Sequence, residues 1–365
     1  MPSKHRTHRM EKLARIYDAE ILPVWSQKFG NLLMRGLKIP ERAQILDVAC
    51  GTGYPTTELI RRKGEGARLI AIEGSSALLD VARKKLEKLE PKPSGVFLRS
   101  QAAEPELKFA DGVYDLVVCN TAVHNMEDPA KAISELGRVT REGGEVRVTI
   151  PVAGSFVEFF DIYREVLVKH DKHETAQRLR QHIDSKYPAI DVCERWLQDA
   201  GLEDVSVEVE EFTLLFRSSR EFFFAPVIEF GPLAEWKAIA GAGQEMQDVF
   251  WYIKESIDAY FEGRPFEITI RAGLLRGIRS DAATVTDTAT DAEEEESVDP
   301  GTRPGSDPDP DAIDIDMDED TMNPDTLDPD TEDFEGTLEG LPYIKPLGDV
   351  EDTNVPGLPK RDEEE

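Results

Sequence analysis

The sequence predicts an α/β protein built on a doubly wound, mostly parallel sheet. Three observations carry that prediction. Between residues 43 and 151, short and nearly continuous apolar runs alternate with helical text, the pattern of strands covered by helices on both faces. The first run, ILDVACGTGYPTTEL at 45–59, ends in an acid and then breaks into two glycines. A strand that stops at Asp47 and leaves bare backbone at Gly51 and Gly53 makes a sharp turn that a ligand can approach, because no Cβ stands in the way. Two more strand-like runs follow a long helical stretch, which brings the expected sheet to seven strands.

Taken in order, residues 10–37 have helical apolar spacing interrupted at Pro23, which predicts two helices or one kinked helix. AQILDVA (43–49) is the first strand. YPTTELIRRKG (54–64) is a helix that Pro55 opens, since its fixed φ suits the first helical position. ARLIAIE (67–73), GVFLRS (95–100), YDLVVCN (114–120) and GEVRVTIP (144–151) read as strands. SSALLDVARKKLEKL (75–89) and DPAKAISELGRVT (128–140) read as the helices among them. Helical text runs from 156 to about 200 and stops at the glycine of CERWLQDAGL. VSVEVEEFTLLF (205–216) and FEITIRAGLLRGI (266–278) are the last two strands, the second closing the sheet. Between them, 217–263 is helical and rich in aromatics, as expected of an inserted cap. The chain thus divides into an N-terminal helical segment (1–42), an α/β domain (43–280) and a tail (281–365).

Charge is distributed unevenly. The chain holds 73 acidic and 43 basic residues, a net of −30, but 30 of the acids and only 4 of the bases lie in 281–365. That tail carries −26, and residues 1–280 carry −4. Rich in Pro, Asp and Thr, it cannot bury enough apolar surface to offset roughly 1–2 kcal/mol of backbone entropy per residue, and it is expected to be disordered. A near-neutral folded part beside so acidic a tail argues against a nucleic-acid substrate. The tail is expected to be a solubilising arm with no fixed contact; the alternative is a loose electrostatic contact with the basic stretch SKHRTHRMEK (3–12), and LPYIKPL (341–347) is the piece expected to dock on a protein partner. Cys50, Cys119 and Cys193 are scattered and odd in number, which suits a reducing compartment. No uncharged apolar run approaches the ~20 residues that span a bilayer, and no apolar core of a signal peptide follows the first ten residues. A cytoplasmic protein, with no membrane partner, is expected.

The glycine loop and helix start suggest a nucleotide-like cofactor. A dinucleotide fingerprint needs G-x-G-x-x-G, but the third position here is Thr56, and the acid precedes the glycines. Acid-then-glycine excludes the dehydrogenase reading. With a second acid closing the next strand at Glu73, the arrangement resembles the class I S-adenosylmethionine-dependent methyltransferases. The likeness runs from about Ala43 to Ile150 through LDVACGTG (46–53), AIEGSS (71–76), YDLVVCN (114–120), VHNMEDP (123–129) and REGGEVRVTI (141–150). It implies a Rossmann-like doubly wound, mostly parallel seven-stranded sheet, with S-adenosylmethionine as cofactor.

The resemblance implies Asp47 near the methionyl amino group, with Ala49, Cys50, Gly51, Gly53, Gly74 and Asn120 lining the cofactor. It implies that Glu73 accepts hydrogen bonds from both ribose hydroxyls, and an ionised acceptor makes such bonds roughly twice as strong as neutral ones. Two departures stand out. Ala49 occupies a position where many relatives have glycine. Ala102 or Ala103 occupies the place of an Asp that faces the adenine amino group, and Gln101 or Glu104 could substitute. Apart from this family, the domain could be a catalytically silent cofactor-binding partner protein with the tail as its interaction arm, a reading that the missing carboxylate favours.

Methyl transfer is an in-line displacement that needs alignment and desolvation, and proximity alone supplies roughly 7–11 kcal/mol of the barrier. A base is needed only when the acceptor arrives protonated. His124, just after the fourth strand, lies where such sheets open their sites, and its ordinary pKa near neutrality makes it the candidate base. The alternative is a histidine that packs the cofactor loop or orients the acceptor. His170, His173 and His182 form no metal-ligand constellation, and no metal is expected. Phe156, Phe159, Phe160 and Tyr163, with Phe222, Phe223, Phe224, Phe230 and Trp236, read first as core, with enough left over for an apolar small-molecule acceptor beneath a helical lid.

Overall fold

The structure is a computed structural model that describes residues 4–280. The expectations of a disordered acidic tail, of its contact with the N-terminus and of its partner fall on 281–365, outside the described residues. Seven strands form one sheet: β1 (Gln44–Val48), β2 (Arg68–Glu73), β3 (Val96–Ser100), β4 (Tyr114–Asn120), β5 (Thr140–Pro151), β6 (Leu202–Phe216) and β7 (Phe266–Arg279). Their order is β3-β2-β1-β4-β5-β7-β6. The first five pair in parallel and the last two antiparallel. The doubly wound, mostly parallel, seven-stranded sheet expected from the sequence is therefore present.

The last strand closes that sheet from inside. β7 is hydrogen-bonded to β5 on one side and β6 on the other, so β6 is the edge. Composition explains the order. Ala272, Leu274 and Leu275 of β7 are buried. β6 carries Glu208, Glu210 and Glu211 on a largely unburied run, and charged side chains protect an open edge from pairing with another chain.

Twelve helices accompany the sheet among the described residues. Pro23 lies in the turn between α1 (Lys4–Ile16), continued by a π-helical turn at Tyr17–Ile21, and α2 (Ser26–Leu33), so the N-terminal segment is two helices. α3 (Thr56–Arg62) and α4 (Ser76–Leu86) follow β1 and β2. Pro55 stands just ahead of α3 as its cap, not as its first helical residue. α5 (Pro129–Val139) and α8 (Ile190–Asp199) bury Ile133, Leu136, Cys193 and Leu197 against Val117, Val146 and Val148. α6 (Val157–Lys169) and α7 (His173–Lys186) lie between β5 and α8. Between β6 and β7 come α9 (Ser219–Phe224), α10 (Pro226–Glu229), α11 (Leu233–Ala240) and α12 (Gly243–Phe261).

Those last helices share a core with the N-terminal helices: Phe222 and Trp236 join Trp25, Phe29, Phe156 and Phe159 in one buried cluster. Of the aromatic runs, Phe156, Phe159, Tyr163, Phe222 and Trp236 are core, and Phe224 is exposed. No described helix is long and apolar enough to cross a membrane. Strand order reverses at β1, which pairs with β2 on one side and β4 on the other. In open sheets of this kind ligands bind outside the carboxyl ends of the strands at that reversal. Asp47, Glu73 and Asn120 stand at or beside the carboxyl ends of β1, β2 and β4.

Candidate functional site

β1 delivers Asp47 into a fully buried position. Thr56 Oγ1, at the start of α3, donates a 2.5 Å hydrogen bond to Asp47 Oδ2. Its Oδ1 is buried with no hydrogen-bond partner, and so is Thr52 Oγ1 in the loop beyond. Burial, with a further push from Glu73, raises the Asp47 carboxyl to about 7, against the opposing bond from Thr56.

The loop after β1 follows the glycine logic and also departs from it. Gly51 has φ +57° and Gly53 φ +93°, both in the region glycine tolerates. A Cβ on Gly51 would meet nothing nearer than the Tyr17 ring at 3.8 Å, so the space over that backbone is open. Ala49 holds φ +57° as well, a conformation that costs an L-residue roughly 1–2 kcal/mol and explains why glycine suits the position.

Glu73 stands 1% exposed at the end of β2. Its Oε2 accepts the Gly51 N–H at 3.0 Å, and its Oε1 the Ser75 N–H at 2.8 Å. Burial raises this carboxyl to about 7 despite those bonds. Each oxygen keeps a lone pair for a further donor. Two buried acids thus act on each other electrostatically, and one of their acceptor oxygens, Asp47 Oδ1, has no hydrogen-bond partner.

The stretch after β3 lies against this acid. Gln101 N–H bonds to Glu73 O at 3.1 Å, and Ala102 Cα sits 3.4 Å from where a Gly74 Cβ would stand. Gln101 Nε2 is buried with no hydrogen-bond partner. Glu104 Oε1 accepts the Glu127 N–H at 2.7 Å. Of the two residues able to replace the absent carboxylate at Ala102 or Ala103, Glu104 is engaged elsewhere and Gln101 is not.

Asn120 engages each end of its amide within the chain: Nδ2 donates to Ser26 O at 3.0 Å, and Oδ1 accepts from Thr149 Oγ1 at 2.7 Å. It ties the start of α2 over the carboxyl end of β4. Tyr17 joins the same roof, its hydroxyl 2.7 Å from Ser26 Oγ. Burial, opposed by that bond and helped by the Glu73 charge, holds the Tyr17 hydroxyl well above the usual phenol range. Sequence reasoning did not mark Tyr17 or Ser26. Their only signal was helical spacing around Pro23, although π-helical turns are frequent at functional sites.

His124 occupies a short 3₁₀ turn, Val123–Asn125, directly after β4 and is 7% exposed. Burial, and secondarily Lys186, holds its pKa well below the ordinary imidazole value. The near-neutral pKa that recommended it as a base is therefore not the value in the folded chain. Cys50 and Cys119 are free, buried thiols, each raised above the ordinary value chiefly by burial. No group of three or more metal-ligating side chains occurs among the described residues.

Comparison with known proteins places this geometry in context. A family model described as "Methyltransferase domain" matches residues 46–148. A demethylmenaquinone methyltransferase of Bacillus cereus (strain B4264) is 27% identical over 217 residues, covering 56% of this chain and 90% of the relative. A demethylmenaquinone methyltransferase of Staphylococcus aureus (strain JH9) is 24% identical over 230 residues, covering 58% of this chain and 90% of the relative. Among solved structures, the YcgJ protein of Bacillus subtilis aligns with a TM-score of 0.45 at 15% identity, over 70% of this chain and 100% of that one.

Proposed function

Because this chain is a class I S-adenosylmethionine-dependent methyltransferase of the quinone-type branch, we propose that its acceptor is a small, apolar aromatic molecule of quinone type. S-adenosylmethionine, when bound, supplies a methyl group on a sulfonium, an electrophile already activated for displacement. The chain's own work is to hold that cofactor, place the acceptor in line and keep water out.

The residues fit the cofactor. Asp47 Oδ1, buried and unpartnered, takes the amino group of the methionyl part, while Thr56 fixes the other oxygen. Glu73 keeps acceptor capacity for two hydroxyls while its backbone bonds fix its orientation. The bare backbone at Gly51 gives room for close approach, while Gly53 lets the loop pack closely on Ala82 of α4. Gln101 reads the adenine edge in place of a carboxylate: a carboxamide presents one donor and one acceptor, the pairing that suits adenine. This removes the motive for a catalytically silent protein, which rested on the missing acid.

Tyr17, Ser26 and Asn120 close the N-terminal helices over the loop and exclude water. His124, kept neutral by burial, orients the acceptor and is a weak proton acceptor at neutral pH. The carrying observation is the buried, unpartnered Asp47 Oδ1 beside Glu73. An unsatisfied buried polar group costs about 1–3 kcal/mol, which a cationic ligand group recovers. The test is release of S-adenosylhomocysteine when the protein is given S-adenosylmethionine and a panel of quinols and phenols. Product above the acceptor-free control supports the reading. No product with any aromatic acceptor, and product with an aliphatic amine instead, overturns the acceptor class.

A further inference from the structure

The acid assigned to the cofactor's ribose is shut away from solvent. Glu73 is 1% exposed, and Gly51, whose N–H it accepts, is buried. The room above Gly51 ends at the Tyr17 ring, and the Glu73 charge acts on the Tyr17 hydroxyl. A ribose hydroxyl arriving from solvent therefore reaches Glu73 only after some element has moved aside.

The two N-terminal helices are held with different firmness. α2 is pinned to the sheet and to α3. Asn120 Nδ2 bonds to Ser26 O at its start, Arg147 Nη1 to Leu33 O at 2.9 Å and to Arg35 O at 2.7 Å, and Arg62 Nη1 to Met34 O at 2.6 Å. Phe29 and Leu33 are fully buried. α1, KHRTHRMEKLARI, is mostly charged or polar. From His8 to its end, only Leu13 and Ala14 are buried. A helix with so little apolar burial opens at low cost. Between the two, Leu22–Trp25 is a turn that holds Pro23, and Trp25 leaves helical geometry at φ −123° and ψ −80°. Large dihedral changes at a hinge fall on a few element-terminal residues of this kind.

On the side away from that turn, Asp18 of the π-helical turn pairs with Lys85 of α4. Ala14 and Leu78 of α4 belong to the same buried cluster. The Asp18 and Lys85 side chains are 25% and 33% exposed, so salt screens the pair and its strength is modest. Neither residue belongs to the cofactor site.

We propose that residues 4–21 form a gate over the cofactor loop, hinged at Leu22–Trp25, and that the ion pair between Asp18 and Lys85 is its latch. The closed gate makes this pair with or without a ligand beneath it. Weakening the latch therefore raises the open population of both forms, so entry and exit quicken together and affinity hardly changes. A residue that touches the ligand acts mainly on exit. The gate rests on the cofactor reading of Glu73 and its loop.

The experiment is surface plasmon resonance on the full chain with S-adenosylhomocysteine as the probe. Lys85→Glu is expected to raise the association and dissociation rate constants by about threefold or more each, the scale of an exposed ion pair, with Kd held within about twofold. The swapped variant Asp18→Lys/Lys85→Glu should return both rates toward those of the unaltered protein. Lys85→Met supplies a second arm should Lys85→Glu fail to fold, and it too should quicken both rates. Rates that stay unchanged in the folded single variants overturn the gate and leave the cofactor reading standing. So does a rise in dissociation alone with weaker affinity, or a swapped variant as fast as Lys85→Glu. No binding of S-adenosylhomocysteine to the unaltered protein overturns the cofactor reading, and the gate with it.

Discussion

Thr56 Oγ1 donates a 2.5 Å hydrogen bond to Asp47 Oδ2, and this one contact fixes a buried carboxylate with its second oxygen left open. The arrangement sets function against stability, because a desolvated acid is costly until a ligand meets it. Asp47→Asn removes the charge while keeping the shape. It is expected to weaken S-adenosylmethionine binding about tenfold or more and to raise the melting temperature of the ligand-free protein. Calorimetry and thermal melts on the same samples check both halves. A variant that binds normally would show that Asp47 only supports the loop.

The two buried acids also give stability a pH dependence of defined sign. Asp47 and Glu73 are each raised to about 7 by burial in the folded chain, and unfolded carboxyls titrate near 4. Between those values the folded state holds more protons, so stability falls as pH rises from about 4 to about 7 and levels off above. Melting temperatures across pH 5 to 8 should therefore decline more steeply in the unaltered protein than in an Asp47→Asn/Glu73→Gln double variant. A cationic ligand favours the ionised acids, so cofactor affinity should rise over the same window. Parallel melting profiles for the two proteins would contradict this.

His124 is expected to act through position. Its burial keeps the imidazole neutral across the working pH range, so His124→Gln should lower turnover by less than about 10²-fold with the pH–rate profile unchanged. A general base would instead show a loss of about 10²–10⁴-fold and the disappearance of a pH inflexion. Steady-state rates of methyl transfer between pH 6 and 9 distinguish the two.

Gln101 and Glu104 make opposite predictions. Gln101→Ala should weaken S-adenosylhomocysteine binding several-fold and erase the preference over the analogue with an inosine base, since a site built to hydrogen-bond a ligand rejects one lacking the match. Glu104→Ala, whose carboxylate caps the Glu127 N–H, should leave both unchanged. The reverse pattern would assign the adenine edge to Glu104.

Much of this was legible along the chain because its determinants are local. The strand–acid–glycine–helix order around Asp47, and the acid at Glu73, lie within 73 residues of text and carry their own turn and cap signals. What was not legible depends on long-range pairing. The position of β7 inside β6 follows from which antiparallel strand buries both faces, and no local period reports that. Tyr17 lies over Gly51 and Ser26 bonds to Asn120 from helices far from both in sequence, contacts that no local pattern reports. Asp18 and Lys85 meet across 67 residues of chain. The pKa of His124 depends on burial that only tertiary structure creates.

The most direct test of the central claim is calorimetric titration of the full chain with S-adenosylmethionine, with NADH as the competing ligand and Glu73→Ala as the variant. The account expects saturable one-site binding of S-adenosylmethionine, no binding of NADH, and a loss of about tenfold or more on Glu73→Ala, the scale of hydrogen bonds to a charged acceptor. Binding of NADH in place of S-adenosylmethionine, or full affinity in the Glu73→Ala protein, would contradict it.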